Sequence, residues 1–160
     1  MIVVTMGVSG SGKSAVGQAL ATELGWPFFD ADDFHPEANV AKMAAGTPLT
    51  DEDRWPWLDR LAAEMAAIDA KGEHAVLACS ALRQAYRDRI SRAVPVRYVH
   101  LAGDHDTIAA RLAGRKNHYM PPALLASQLA TLEPPTDAIV IDLRDTIPVQ
   151  VAKIRAALKV

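Results

Sequence analysis

Short apolar runs rich in β-branched residues alternate with longer mixed segments along the whole chain. Such alternation predicts parallel strands joined by helices. Ile2 to Thr5 is the first predicted strand, and Ser14 to Leu24 a helix with Val16, Ala19, Leu20 and Leu24 at helical spacing. Pro27 to Phe29 is a short second strand ending at an acidic cluster, and two helices are expected between His35 and Gly72. In the second of these, Thr50 and Asp53 form an approximate capping box ahead of a stripe of Leu58, Leu61, Ala62, Met65 and Ile68. Strands follow at Ala75 to Cys79, Val96 to Leu101 and Ala138 to Ile141. The helices between and after them are Arg83 to Arg92, Asp106 to Arg115, Pro122 to Leu132 and Pro148 to Leu158. The pattern contains no repeat or low-complexity linker, and Pro134-Pro135 is too short a break to separate domains.

Composition narrows the class. A chain of 160 residues, half of them hydrophobic and 22% charged, suits one globular domain with its own core. A net charge of −2 supplies no general attraction to nucleic acid or to an anionic membrane, so any anion site must be built locally. The single Cys79 has no internal disulfide partner, which fits a reducing cytoplasm. The apolar start lacks a basic flank and runs into glycines, as a strand does and a signal peptide does not. No apolar run nears the roughly 20 residues that span a bilayer.

Gly7-Val8-Ser9-Gly10-Ser11-Gly12-Lys13-Ser14 satisfies G-x-x-x-x-G-K-[ST] at every position, between an apolar strand and an amphipathic helix. Backbone N–H groups in such a loop converge on phosphate oxygens, and the helix N-terminus adds partial positive charge. Lys13 is expected on the β- and γ-phosphates of ATP, and the Ser14 hydroxyl on Mg²⁺. Asp30-Ala31-Asp32-Asp33 follows the second strand and so emerges at the same sheet edge. If strand geometry persists, Asp30 and Asp32 both face the cleft, to hold a metal-bound water or accept a proton. Asp33 fits a helix-capping turn.

From here the chain resembles the gluconokinase family of P-loop kinases, whose fold is similar to that of shikimate and adenylate kinases. Beside the phosphate loop, the resemblance rests on Asp30 to Pro36 with Asn39 and Lys42-Met43, on Gly46 to Arg54 with Pro56-Trp57-Leu58, and on Ala78 to Arg83 with Tyr86-Arg87-Asp88. His118-Tyr119-Met120-Pro121, Ser127-Gln128 and Thr131 to Pro135 complete it. Ala31 stands where glycine is common in the family.

The resemblance implies a three-layer α/β/α domain over 1–160. It has a five-stranded parallel sheet, a helical substrate-binding insertion near 35–72 and a lid near 111–132. It implies transfer of the γ-phosphate of ATP to the 6-hydroxyl of D-gluconate, with Mg²⁺, in the cytoplasm, and a possible homodimer. Gluconate is a carboxylate with several hydroxyls, so its site needs a cation and neutral hydrogen-bonding groups. Arg54, Arg83 and Arg87 are candidates for the carboxylate, with surface salt bridges to Asp88 or Asp53 as the plain alternative. Arg83 and Arg87 are expected one turn apart on one helix face. His35 either meets a substrate hydroxyl or caps a helix beside Pro36, and Lys42 either binds substrate or lies on a solvated face. Trp55 and Trp57 are expected in the core.

In related kinases a basic segment closes over ATP. Here that segment would place Arg111 near the adenine side of the nucleotide and Arg115 or Lys116 near the phosphates. Asp32 is the expected substrate contact and possible base, with Asp30 on the magnesium side. A kinase of another hydroxy acid such as shikimate, or a non-catalytic nucleotide switch, are the alternative readings.

Overall fold

The computed structural model describes residues 1–114 and 122–160. Five parallel strands form one sheet in the order β2-β3-β1-β4-β5. They are β1 (Ile2–Met6), β2 (Phe28–Asp30), β3 (Ala75–Ala78), β4 (Val96–Ala102) and β5 (Ile139–Asp142). The helices are α1 (Lys13–Leu24), α2 (Glu37–Ala44), α3 (Asp51–Ala70), α4 (Gln84–Ser91), α5 (His105–Ala113), α6 (Pro122–Thr131) and α7 (Ile147–Leu158). Each expected element is present within a residue or two.

Strand β1 is wholly buried because both of its faces carry apolar side chains. Val3 joins Val16, Leu20, Val76, Val99, Ile141 and Ile154 under α1 and α7. Ile2, Val4 and Met6 point the other way, onto Leu58, Leu61 and Met65 of α3 and Ile90 of α4. Leu58, Leu61 and Met65 have no exposed surface, and each contributes roughly 1.5–3 kcal/mol by burial. This packing fixes where α3 begins. Its first turn carries the expected capping box: Asp53 N donates to Thr50 Oγ1 at 3.2 Å, and Thr50 N donates to Asp53 Oδ2 at 2.9 Å.

Two local expectations fail. Strand geometry does not continue past Asp30, because Ala31–Phe34 turns into a single 3₁₀ turn that Asp30 itself caps by accepting from Asp32 N at 3.0 Å. Arg83 and Arg87 do not share a helix face. Arg83 is the extended residue before α4, with φ −103° and ψ 147°.

Because every strand runs the same way, the segments after β1, β2, β3, β4 and β5 all open at one edge. The phosphate-loop sequence, the acidic cluster and Arg83 therefore meet there.

Candidate active site

The loop from Gly7 to Ser14 needs glycine for steric reasons. At Gly10, φ is +82° and a Cβ would lie 2.7 Å from Leu112 Cγ. At Gly12, φ is +90°, and the nearest atom to a Cβ would be Arg111 Nη1 at 3.7 Å. Arg111 thus stands beside the loop, where it also donates to the carbonyl of Leu143 beyond β5. It therefore lies against the phosphate loop. Ser11 Oγ is fully buried and has no hydrogen-bond partner among the described residues. Val8 is buried against the core, and Ser9 is held from α6: its N–H donates to Gln128 Oε1 at 2.8 Å, and Gln128 Nε2 donates to Ser9 Oγ at 3.2 Å.

At the mouth of the loop, Ser14 Oγ donates to Asp30 Oδ2 at 3.3 Å. These two hard oxygens suit magnesium, which takes one or two protein oxygens and completes its shell with phosphate and water. Among the described residues no cluster of three or more His, Cys, Asp or Glu side chains offers a fuller cage. Asp32 projects from the 3₁₀ turn with its side chain 86% exposed. Partial desolvation there, reinforced by the Asp30 carboxylate, raises its pKa above the usual carboxylate value; Lys13 and His35 oppose the shift. The same interactions place Lys13 within electrostatic reach of Asp32.

His35 comes next along the cleft. Its side chain is 4% exposed and stacks on Trp57 with ring centroids 4.1 Å apart. Burial lowers its pKa, so the ring is neutral near pH 7. Nε2 lies 3.9 Å from Asp32 Oδ1, beyond hydrogen-bond distance. Trp57 is bound into the core, where its Nε1–H donates to Ala31 O at 2.7 Å. Its ring packs on His35 and supports the turn that carries Asp32.

Beyond His35 lie Arg54 and Arg83, joined by a residue that sequence reasoning gave no role. Asp51 Oδ1 accepts from Arg54 Nη1 at 3.5 Å and from the Tyr86 hydroxyl at 2.6 Å, while Arg83 Nη1 lies 3.6 Å from Asp51 Oδ2. Arg54 also donates to Leu49 O at 2.9 Å and lies over the Tyr86 ring, 5.4 Å from its centroid. Two guanidinium groups share one carboxylate, so the cluster keeps positive charge. Both arginines remain partly open, at 30% and 47%.

Two predicted substrate residues are occupied elsewhere. Lys42 Nζ donates to both carboxylate oxygens of Asp53, at 2.9 and 2.8 Å, and ties α2 to the start of α3. Arg87 is 2% exposed and does not reach the cleft. Its guanidinium donates to Ala81 O in the β3–α4 loop at 2.6 Å and to Glu133 O in the segment after α6 at 2.6 Å, two carbonyls outside the helices and strands. Ala81 is held there at φ +46°, a left-handed value unusual for a residue with a Cβ. Glu133 completes this knot, accepting from Gln84 N at 2.8 Å through its side chain and donating from its own N–H to Leu82 O at 2.7 Å.

Cys79 is buried and its thiol is pushed up to about 12 by that burial, so it is inert. Arg115, Lys116 and His118 lie outside the described residues. Asp51 could have been found from its i,i+3 spacing to Arg54, and Asn39 from its i,i+4 spacing to His35. Gln128 and Glu133 had no such local signal, since their partners are far away in sequence.

A family profile described as an AAA domain matches residues 2–135. A curated relative from Xenopus tropicalis, named probable gluconokinase, is 47% identical over 173 residues, covering 96% of this chain and 91% of the relative. The gluconokinase of Gluconobacter oxydans is 49% identical over 137 residues, 84% of this chain and 76% of the relative. Among solved structures, a gluconokinase from Sinorhizobium meliloti superimposes with a TM-score of 0.88 at 41% identity, covering 98% of this chain and 90% of that one.

Proposed function

The chain belongs to the gluconokinase family of P-loop kinases, and on that premise we propose that its cleft binds MgATP and D-gluconate and yields 6-phospho-D-gluconate and ADP. The observation that carries this reading is the electrostatically coupled series of side chains from Lys13 and Asp32 through His35 to Arg54, Asp51 and Arg83. It begins where phosphates bind and ends on two cations, as a linear hydroxy acid requires.

Backbone N–H groups of Gly7 to Ser14 and the start of α1 bind the phosphates, with Lys13 beside the transferring group and Arg111 on the nucleotide side. Ser14 and Asp30 hold magnesium, which when bound neutralises charge on the phosphate oxygens. Arg54 and Arg83 orient the gluconate carboxylate, so that its distal hydroxyl faces Asp32. The hydroxyl oxygen forms the new bond to phosphorus, the bond to the β-phosphate bridging oxygen breaks, and Asp32 takes the hydroxyl proton. The raised pKa of Asp32 makes it a better proton acceptor than an ordinary surface carboxylate. Arg115, outside the described residues, keeps the role of cation on the transferring phosphoryl group on sequence grounds alone.

One coupled ADP-release assay across gluconate, glucose, shikimate and nucleoside monophosphates tests the reading. Gluconate should be used far faster than glucose, which offers the arginines no carboxylate. Faster turnover of shikimate or of a nucleotide would overturn it. No helix among the described residues is long and apolar enough to cross a membrane.

A further inference from the structure

The proton on His35 is placed by Asn39. Asn39 is 3% exposed on α2, and its Nδ2 lies 3.0 Å from Asp53 O and 3.2 Å from His35 Nδ1. A carbonyl oxygen can only accept, so the amide end facing Asp53 must be the nitrogen. The flip ambiguity that usually attends asparagine is thereby removed. The second N–H of that nitrogen is directed to His35 Nδ1, which can meet it only as an acceptor. A neutral imidazole whose Nδ1 accepts carries its proton on Nε2. The ring has little freedom to do otherwise, being stacked on Trp57 at a 17° interplanar angle with its side chain 4% exposed.

Nε2 is the nitrogen that looks toward Asp32, 3.9 Å from Oδ1. That gap is too long for a direct hydrogen bond. It suits an inserted oxygen about 2.8 Å from each, accepting from Nε2–H and donating to the carboxylate. We propose that His35 and Asp32 form a donor–acceptor pair that recognises one hydroxyl of the polyol acceptor, and that Asn39 is the positioning residue that locks His35 as the donor. The proposal rests on the reading of this cleft as the acceptor site. It also assigns proton acceptance to Asp32 alone, because the only bare nitrogen of His35 is already used by Asn39.

The direct test is a long-range ¹H–¹⁵N correlation on the full ¹⁵N-labelled chain, with the His35 signals identified by their loss in His35→Gln. The expected pattern at neutral pH has Nε2 protonated and Nδ1 bare. The reverse tautomer, or an imidazolium, overturns the proposal even in a chain that phosphorylates gluconate. In Asn39→Asp an acceptor replaces the donor, and the proton should move to Nδ1; an unchanged pattern would remove Asn39 from the positioning role. Should that variant not fold, Asn39→Ala serves, with a mixture of tautomers expected and a pure Nε2–H form counting against the idea.

Kinetics supply the functional arm. His35→Gln keeps an N–H donor near the place of Nε2, whereas His35→Leu has none. The gluconate KM should rise about tenfold more in the leucine variant, the scale of one hydrogen bond, with the ATP KM unchanged in both. Equal effects of the two substitutions would refute the donor role. If the expected tautomer is observed in a chain that does not phosphorylate gluconate, the acceptor reading fails while the Asn39–His35 geometry stands.

Discussion

At the phosphate end of the cleft the grip is made of backbone, shaped by glycines at φ +82° and +90° and by the start of α1. At the acceptor end it is made of side chains drawn from the 3₁₀ turn, α3 and the β3–α4 loop, most of them already bonded to one another. A backbone cradle tolerates little variation, because its donors are fixed by φ and ψ. A side-chain site can be retuned one residue at a time, but each charged group needs a partner before substrate arrives. Asp51 serves the arginines in that way, and Asp53 serves Lys42. The type of a residue therefore says less about its role at the second end than at the first.

Lys13→Ala should break the comparison most severely. Turnover should fall on the order of 10³-fold, the upper scale for losing one preorganised donor, with the thermal melt unchanged. Arg115→Ala should lower kcat and kcat/KM together by about 10²-fold. Near-normal kcat in the lysine variant would sink the phosphate-loop assignment.

The next largest effect is on stability. Arg87→Met strips the donors from two carbonyls that Arg87 now serves, and should cost about 3 kcal/mol in denaturant unfolding. The gluconate KM should change less than in any cleft arginine variant. A selective rise in that KM without loss of stability would return Arg87 to the acceptor site. Arg83→Lys keeps the charge and loses the planar fork, so the gluconate KM should rise about tenfold while the ATP KM stays put. Equal damage to both would point to phosphate contacts instead.

The smallest effect sharpens the contrast at the α2–α3 junction. The hydrogen bond from Lys42, backed by Thr50, holds the Asp53 carboxyl at about 2, against an ordinary value of 3.8. A depressed carboxyl stabilises the fold above the unfolded pKa and loses that contribution as pH falls through the folded one. Wild type and Lys42→Met should therefore differ in melting temperature at pH 6 and converge between about pH 4 and pH 2. A constant difference down to pH 2 would show that the ion pair is not its source.

Much of the fold was legible because burial leaves a period in the sequence. Ile2, Val4 and Met6 face one layer and Val3 the other, and α3 repeats the helical stripe of Leu58, Leu61 and Met65. The phosphate loop was legible because its parts are consecutive. Arg87 and Arg54 could not be told apart in this way. Both follow predicted cleft segments, and only the unpartnered carbonyls of Ala81 and Glu133 draw the first inward. The order of strands was also silent in the pattern, since an apolar run reports that a strand is covered and not which neighbour covers it.

That order has a consequence during synthesis. The strand of this sheet that comes first in chain order, β1, sits at the centre, and its partners are β3 and β4. Ile2 lies opposite Ala75, about seventy residues further along. At translation rates of about 5–20 residues per second, this buried central strand waits roughly 4–15 s for an edge it can join. Its α1 neighbour can form meanwhile, but the sheet cannot nucleate from its own centre. Assembly must wait for β3 to arrive, and the long helical excursion between Glu37 and Ala70 is the delay built into the gene.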